Sequence, residues 1–202
     1  MLKSKPDPKV NQASDLGSML RHRRKELGLT LEAVAKQAGV TIGFISQVER
    51  NITSPSLASL TALTHALDAH ISDFFSPPPK PGETSRGDMR KIYASPGGGF
   101  DFERLSTSFA GSTLTALLVH HPPGFVIEEM LHAGEELYFV MKGTLTLVVD
   151  GVRTELGVRD SIHFDSKRPH SVRNETSDTV TVLVVNTMNV FGDECEEGAD
   201  HA

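Results

Sequence analysis

At residues 76–88 the chain reads SPPPKPGETSRGD, and the hydrophobic period changes across this stretch. Proline supplies no backbone donor and fixes φ, so neither a helix nor a central strand can run through it. A single core built from one continuous pattern is therefore excluded, and the stretch reads as a semi-rigid linker. Before it, Leu16, Leu20, Leu27, Leu31, Val34, Ala35, Ala38, Leu57, Leu60, Leu63 and Leu67 recur at helical spacing. After it come LTALLVH, ELYFVMK, TLTLVVD, SIHFDS and TVTVLVV, which are β-branched, partly alternating and bounded by Gly, Pro, Asp or Asn. That texture predicts an all-β sandwich or barrel. Two folded units are expected, 14–75 and 89–192, with a disordered arm over 1–13, the linker 76–88 and an acidic tail over 193–202.

Charge divides in the same place. Residues 1–80 hold ten Lys/Arg against seven Asp/Glu, while residues 81–202 hold ten against nineteen. A basic front joined to an acidic rear favours a nucleic-acid-binding part coupled to a part that is not. The single cysteine, Cys195, rules out an intrachain disulfide and suits a reducing compartment. With a polar, proline-broken start and no apolar run near ~20 residues, a cytoplasmic location without membrane contact is expected.

In the helical half, LTLEAVAKQAGVTIGFISQVERN (29–51) carries the organising signals. Gly28-Leu29-Thr30 ends one helix and Thr30 caps the next; Gly39 ends that one, Thr41 caps a third, and Ser56 opens a fourth. About five short helices are predicted. Small Ala35 allows close helix crossing, and Gly39 supplies the φ > 0 turn. With LRHRRKELGLT before it and SPSLASLTALTHALD after it, this segment resembles the Xre/Cro-like helix-turn-helix family. The resemblance implies that Thr41–Arg50 enters the major groove of double-stranded DNA. Gln47 then reads a base through its bidentate amide, with Thr41, Ile42, Gly43 and Ser46 at the other groove-facing positions. Arg50, Asn51 and Thr53 are placed to touch phosphates. Arg24 and Glu49 match the positions of an ion pair between the first and third helices, a structural role. The basic run Arg21-His22-Arg23-Arg24-Lys25 can also be a plain solvated helix face.

In the second half, Gly124, Met130, His132, Glu136 and Gly143, then Gly157 to Asp160, His170 and Asn174, are spaced like the paired motifs of the cupin superfamily. That resemblance implies a double-stranded β-helix, a jelly-roll barrel, over about 102–186. Metal-binding members use three histidines and a glutamate; here His132, Glu136 and His170 match three positions and Met130 stands in the fourth. Arg159, Asp165 and Lys167 replace the usual Gly, Pro and Gly. Two readings of the cluster stay open. One is a site for a single divalent ion (Zn, Fe, Mn or Ni), which imidazole and carboxylate favour and thioether sulfur weakens. The other is a neutral pocket histidine bonded to Glu136. Met130, His132, Glu136, Tyr138 and His170 form the expected effector pocket, Met130 being an adaptable floor.

Together these features predict a homodimeric, non-enzymatic, sequence-specific transcriptional regulator that recognises a palindromic operator. Its barrel is expected to sense a small molecule such as an amino acid, an amine or an organic acid. The alternatives are a cupin metalloenzyme of dioxygenase or isomerase type carrying a DNA-binding head, and a scaffold whose helical head binds another protein.

Overall fold

The computed structural model describes residues 16–75, 78–188 and 190–191. The expected arm over 1–13, the acidic tail over 193–202 and Cys195 lie outside the described residues.

Helices α1 (Leu16–Glu26), α2 (Leu31–Ala38), α3 (Ile42–Glu49) and α4 (Leu57–Ala66) form the first unit, followed by one 3-10 turn, Ile71–Asp73. The fifth helix expected from sequence is thus a single tight turn. The caps are local and specific: the hydroxyls of Thr30, Thr41 and Ser56 accept from the backbone N–H groups of Ala33, Phe44 and Ser59. Each satisfies one donor that the helix cannot. Gly39 adopts φ 69° and closes α2 by donating to the Ala35 carbonyl. Leu16, Leu20, Val34, Ile45, Val48, Leu60, Leu63 and Leu67 make a dry core, each worth about 1.5–3 kcal/mol of burial. Helices α1 and α3 touch so closely that a Cβ on Gly17 would lie 2.2 Å from the Val48 carbonyl oxygen.

The second unit is two facing antiparallel sheets. One has the order β1-β2-β3-β10-β5-β8, with β1 Tyr93–Ala94, β2 Asp101–Arg104, β3 Thr115–His121, β5 Glu135–Lys142, β8 Ser161–Asp165 and β10 Val180–Asn186. The other has the order β4-β9-β6-β7, with β4 Val126–Met130, β6 Leu145–Val149, β7 Val152–Leu156 and β9 His170–Arg173. Strands β3 and β10 alternate strictly, with Leu117, Val119, Val182 and Val184 facing in, as period two requires. They meet Ile127, Leu145, Leu147 and Val172 of the opposite sheet in one cluster. Arg159 stands at a position expected to hold glycine and still takes φ 74°, a left-handed conformation that costs a side-chain-bearing residue roughly 1–2 kcal/mol.

Pro78 packs down on the barrel, where the buried Arg104 guanidinium donates to its carbonyl at 2.9 Å and lies 4.3 Å over the Phe191 ring. This part of the predicted linker is therefore held against the barrel.

Candidate functional site

Two surfaces merit description, one on each unit. On the first, Phe44, Ile45, Val48 and Glu49 of α3 are buried and turn the opposite side outward. Thr41, Ile42, Gly43 and Arg50 are exposed, while Ser46, Gln47 and Thr53 are half-buried. Ile42 is 49 % exposed, a large apolar side chain with no place in the core. Asn51 is exposed but not idle: it adopts φ 55°, and its Oδ1 accepts the Gly17 N–H at 2.9 Å. Its side chain helps to dock α1 on the end of α3.

Arg24 donates to both carboxylate oxygens of Glu49, at 2.6 and 2.8 Å, and to the Leu29 carbonyl at 3.0 Å. The Glu49 hydrogen bonds raise the Arg24 pKa further. Arg23 donates to the carbonyls of Leu67 and Asp68 at 3.1 and 2.8 Å, closing the C-terminal end of α4. Two of the five residues in the basic run are thus structural, which leaves Arg21, His22 and Lys25 on the exposed side.

On the second unit, His132, Glu136 and His170 converge, with ligand atoms all within 4.8 Å of one another. β4 stops at Met130, so His132 sits in the loop that follows. Its backbone N–H is tied to the Ser166 carbonyl at 2.9 Å. Glu136 opens the buried run of β5, and His170 begins β9 opposite Met130. His132 Nδ1 lies 3.1 Å from the Ala133 carbonyl oxygen, and His170 Nδ1 lies 2.8 Å from that of Arg168. A carbonyl only accepts, so Nδ1 carries the proton in both rings and Nε2 is left to face the cluster.

Those Nε2 atoms stand 3.6 and 3.2 Å from the two Glu136 oxygens, yet neither has a hydrogen-bond partner. Two buried lone pairs and a carboxylate facing one another need a cation between them, either a proton or a metal. The spacing suits a metal: a four-coordinate divalent ion at about 2.1 Å from its ligands sets them about 3.4 Å apart. Burial pushes the Glu136 carboxyl up, but the two imidazoles, once protonated on Nε2, outweigh it and hold the group down to about 2. Burial likewise pulls His132 down, and the Glu136 carboxylate reverses the sign so that its pKa is raised. Tyr138 donates to Glu136 Oε2 at 3.3 Å, and burial beside that carboxylate raises its own pKa well above the usual range.

Met130 is buried but does not turn to this cluster. Its sulfur accepts from the Ser59 hydroxyl at 2.7 Å and the Ser56 hydroxyl at 3.6 Å, both on the first unit. His163 bonds Glu135 on the outer face, and His120 bonds Glu103 and Thr181; neither joins the cluster. His121 is buried and stacks on Phe125 at 4.6 Å, and burial pulls its pKa down to about 3.

Beside the cluster a cavity of about 40 Å³ is lined by Glu136, Tyr138, His121 and Asn186 with Phe100, Leu117, Ile127 and Val184. Ser56, Leu57 and Ala58 line it too. The inward alternation of β3 and β10 was the sequence signal for Leu117, Val184 and Asn186. No local pattern points from Leu57 to the barrel, because the two belong to different folding units.

Comparison with known proteins accords with the two units. Residues 20–74 match the helix-turn-helix family model and residues 117–186 the cupin domain model. The HTH-type transcriptional regulator PuuR of Escherichia coli is 26% identical over 180 residues, which span 87% of this chain and 96% of that protein. An HTH-type transcriptional regulator of Methanothermobacter thermautotrophicus is 42% identical over 59 residues, 29% of this chain and 86% of the relative. A crystal structure of an HTH_3 family transcriptional regulator from Vibrio cholerae superposes with a TM-score of 0.52 at 23% identity, covering 87% of this chain and 96% of that one. These relatives are named as regulators, which favours regulation over the metalloenzyme alternative. The chain belongs to the Xre-type helix-turn-helix transcriptional regulators that carry a C-terminal cupin domain.

Proposed function

We propose that this DNA-binding regulator acts as a homodimer on a palindromic operator and answers to a small molecule held in its barrel. Thr41, Ile42, Gly43, Ser46 and Gln47 meet base edges, Gln47 through its amide and Ile42 through a thymine methyl. Arg50 and Thr53 grip phosphates, and Asn51 adds at most a weak contact, since its Oδ1 supports α1. A dimer presents two α3 helices to half-sites about one DNA turn apart, ~34 Å. No helix among the described residues is long and apolar enough to cross a membrane.

The observation that carries the sensing half is the pair of unpartnered Nε2 atoms aimed at Glu136. His132, Glu136 and His170 would hold one divalent ion, with Met130 turned away and at least one coordination position left open. A bound ion would offer a Lewis-acidic point for an oxygen or nitrogen of the effector. Glu136 is kept ionised by its neighbours, and Tyr138 fixes one of its oxygens. Elemental analysis of the purified full chain is the test. Stoichiometric zinc, iron, manganese or nickel, lost in His132→Ala and with altered operator binding after chelation, is expected. Protein that binds its operator identically with and without divalent ion would overturn the metal assignment.

A further inference from the structure

The barrel does not enclose its cavity alone. Leu57, the first residue of α4, is buried within the barrel's own apolar cluster, and Val40 and Phe75 pack against both cores. Polar contacts pin the same seam: Ser59 and Ser56 donate to the Met130 sulfur, Ser54 Oγ donates to the Gly97 carbonyl at 2.7 Å, and the Leu131 N–H donates to the Gly39 carbonyl at 3.2 Å. Val40 and Met130 face each other as an isolated antiparallel pair.

The cavity's 40 Å³ has room for a few waters at most, far below the roughly 300–1,000 Å³ of small-molecule sites. An effector must therefore push a wall aside. β10 pairs β3 over seven residues without a break and β5 over six with one bulge between Thr181 and Val182, and separating them breaks many hydrogen bonds at once. The α4 wall is held by a short apolar seam, the bonds just named and one more from the Thr61 hydroxyl to the Val190 carbonyl at 3.3 Å; it has no ladder, so it is the one that yields.

Building on the sensor reading, we infer that the first turn of α4 is part of the effector site itself, and that a bound effector and the docked helical domain exclude one another. The ligand has a short aliphatic body, which takes the place of Leu57 against Leu117, Ile127 and Val184, and one polar end directed at Asn186 and the open position of the His132–Glu136–His170 cluster. Thr41, Ile42, Gly43 and Arg50 stay exposed while the domain is docked, so docking holds the recognition face outward. Occupancy releases the domain and removes the fixed spacing that two half-sites need; the effector is an inducer of release from DNA.

The test needs neither DNA nor the effector. In full-length protein with Cys195→Ser, Val40→Cys and Met130→Cys place a thiol pair across the seam, where directly opposed residues have Cα atoms about 4.5–5.5 Å apart, within disulfide reach. In a glutathione buffer the pair is expected to close within one chain. Val184→Phe, which fills the cavity from the barrel side as a mimic of the occupant, should lower the effective concentration of the pair about tenfold or more. Leu117→Phe repeats the test should Val184→Phe lose its barrel by circular dichroism, and Leu57→Asp undocks the seam without filling the cavity. A pair that never closes in the parent, or one that closes equally well in a folded filled variant, overturns the inference. Either failure leaves the metal and operator assignments standing, because those are read by elemental analysis and DNA binding.

Discussion

Arg24 and Glu49, 25 residues apart, meet through two parallel hydrogen bonds between α1 and α3, with little of either side chain exposed. The fork also reaches the Leu29 carbonyl, so one guanidinium fixes α3, α1 and the chain entering α2. Removing one partner strands a charge that is largely out of water. Arg24→Ala or Glu49→Ala should cost about 3 kcal/mol in urea unfolding of the helical domain. The paired change Arg24→Met with Glu49→Leu should recover most of it. Single variants as stable as the parent would mean that the pair is solvated in solution.

Base reading and phosphate gripping separate by salt. Gln47→Ala should weaken binding to the preferred operator by about 1–3 kcal/mol and relax selectivity at one position. Arg50→Ala should weaken all duplexes alike and reduce the slope of log affinity against log salt by about 1. Fluorescence anisotropy over a salt series on a selected operator and a scrambled duplex distinguishes the two, and interchanged outcomes would reverse the assignments.

The cluster in the barrel makes a metal-removal prediction. Chelation should lower the melting temperature of the parent and leave that of His170→Ala unchanged, since a ligand that binds only the folded state stabilises it by mass action. Met130→His should tighten metal binding if the new imidazole turns from Ser59 to the cluster, and calorimetric titration with zinc measures it. An unchanged affinity would place position 130 wholly in the seam.

His121 gives a pH dependence with a definite sign. Burial lowers its folded pKa to about 3 from the usual 6.5. Between those values the unfolded chain binds the extra proton, so stability rises with pH there. The contribution is complete above about 6.5 and is lost as pH falls toward 3, which amounts to about 2–3 kcal/mol by pH 4.5. Both ring nitrogens lack hydrogen-bond partners, so an apolar ring is an acceptable replacement. His121→Phe should flatten the urea-unfolding midpoint between pH 7.5 and 4.5 relative to the parent; an undiminished slope would assign it to other groups.

By itself the sequence determined the four helices and the strands β3, β5, β6, β8 and β10; the other five strands carried no comparable run. The change of period at SPPPKPGETSRGD separated helices from strands, and Thr30, Thr41, Ser56 and Gly39 marked helix ends. Such features depend on residues a few positions apart, where a cap or an alternation acts on its own backbone. The resemblance of the His132, Glu136 and His170 stretches to the cupin motifs likewise named the cluster. The orientation of the imidazoles was illegible, because it is set by the carbonyls of Ala133 and Arg168 in loops whose path no periodicity encodes. Met130 was legible only as a departure from a ligand set, whereas its partners Ser56 and Ser59 lie more than 70 positions away. Only tertiary packing brought α4 to the barrel, since burial rewards any apolar surface that fits and carries no record of sequence distance.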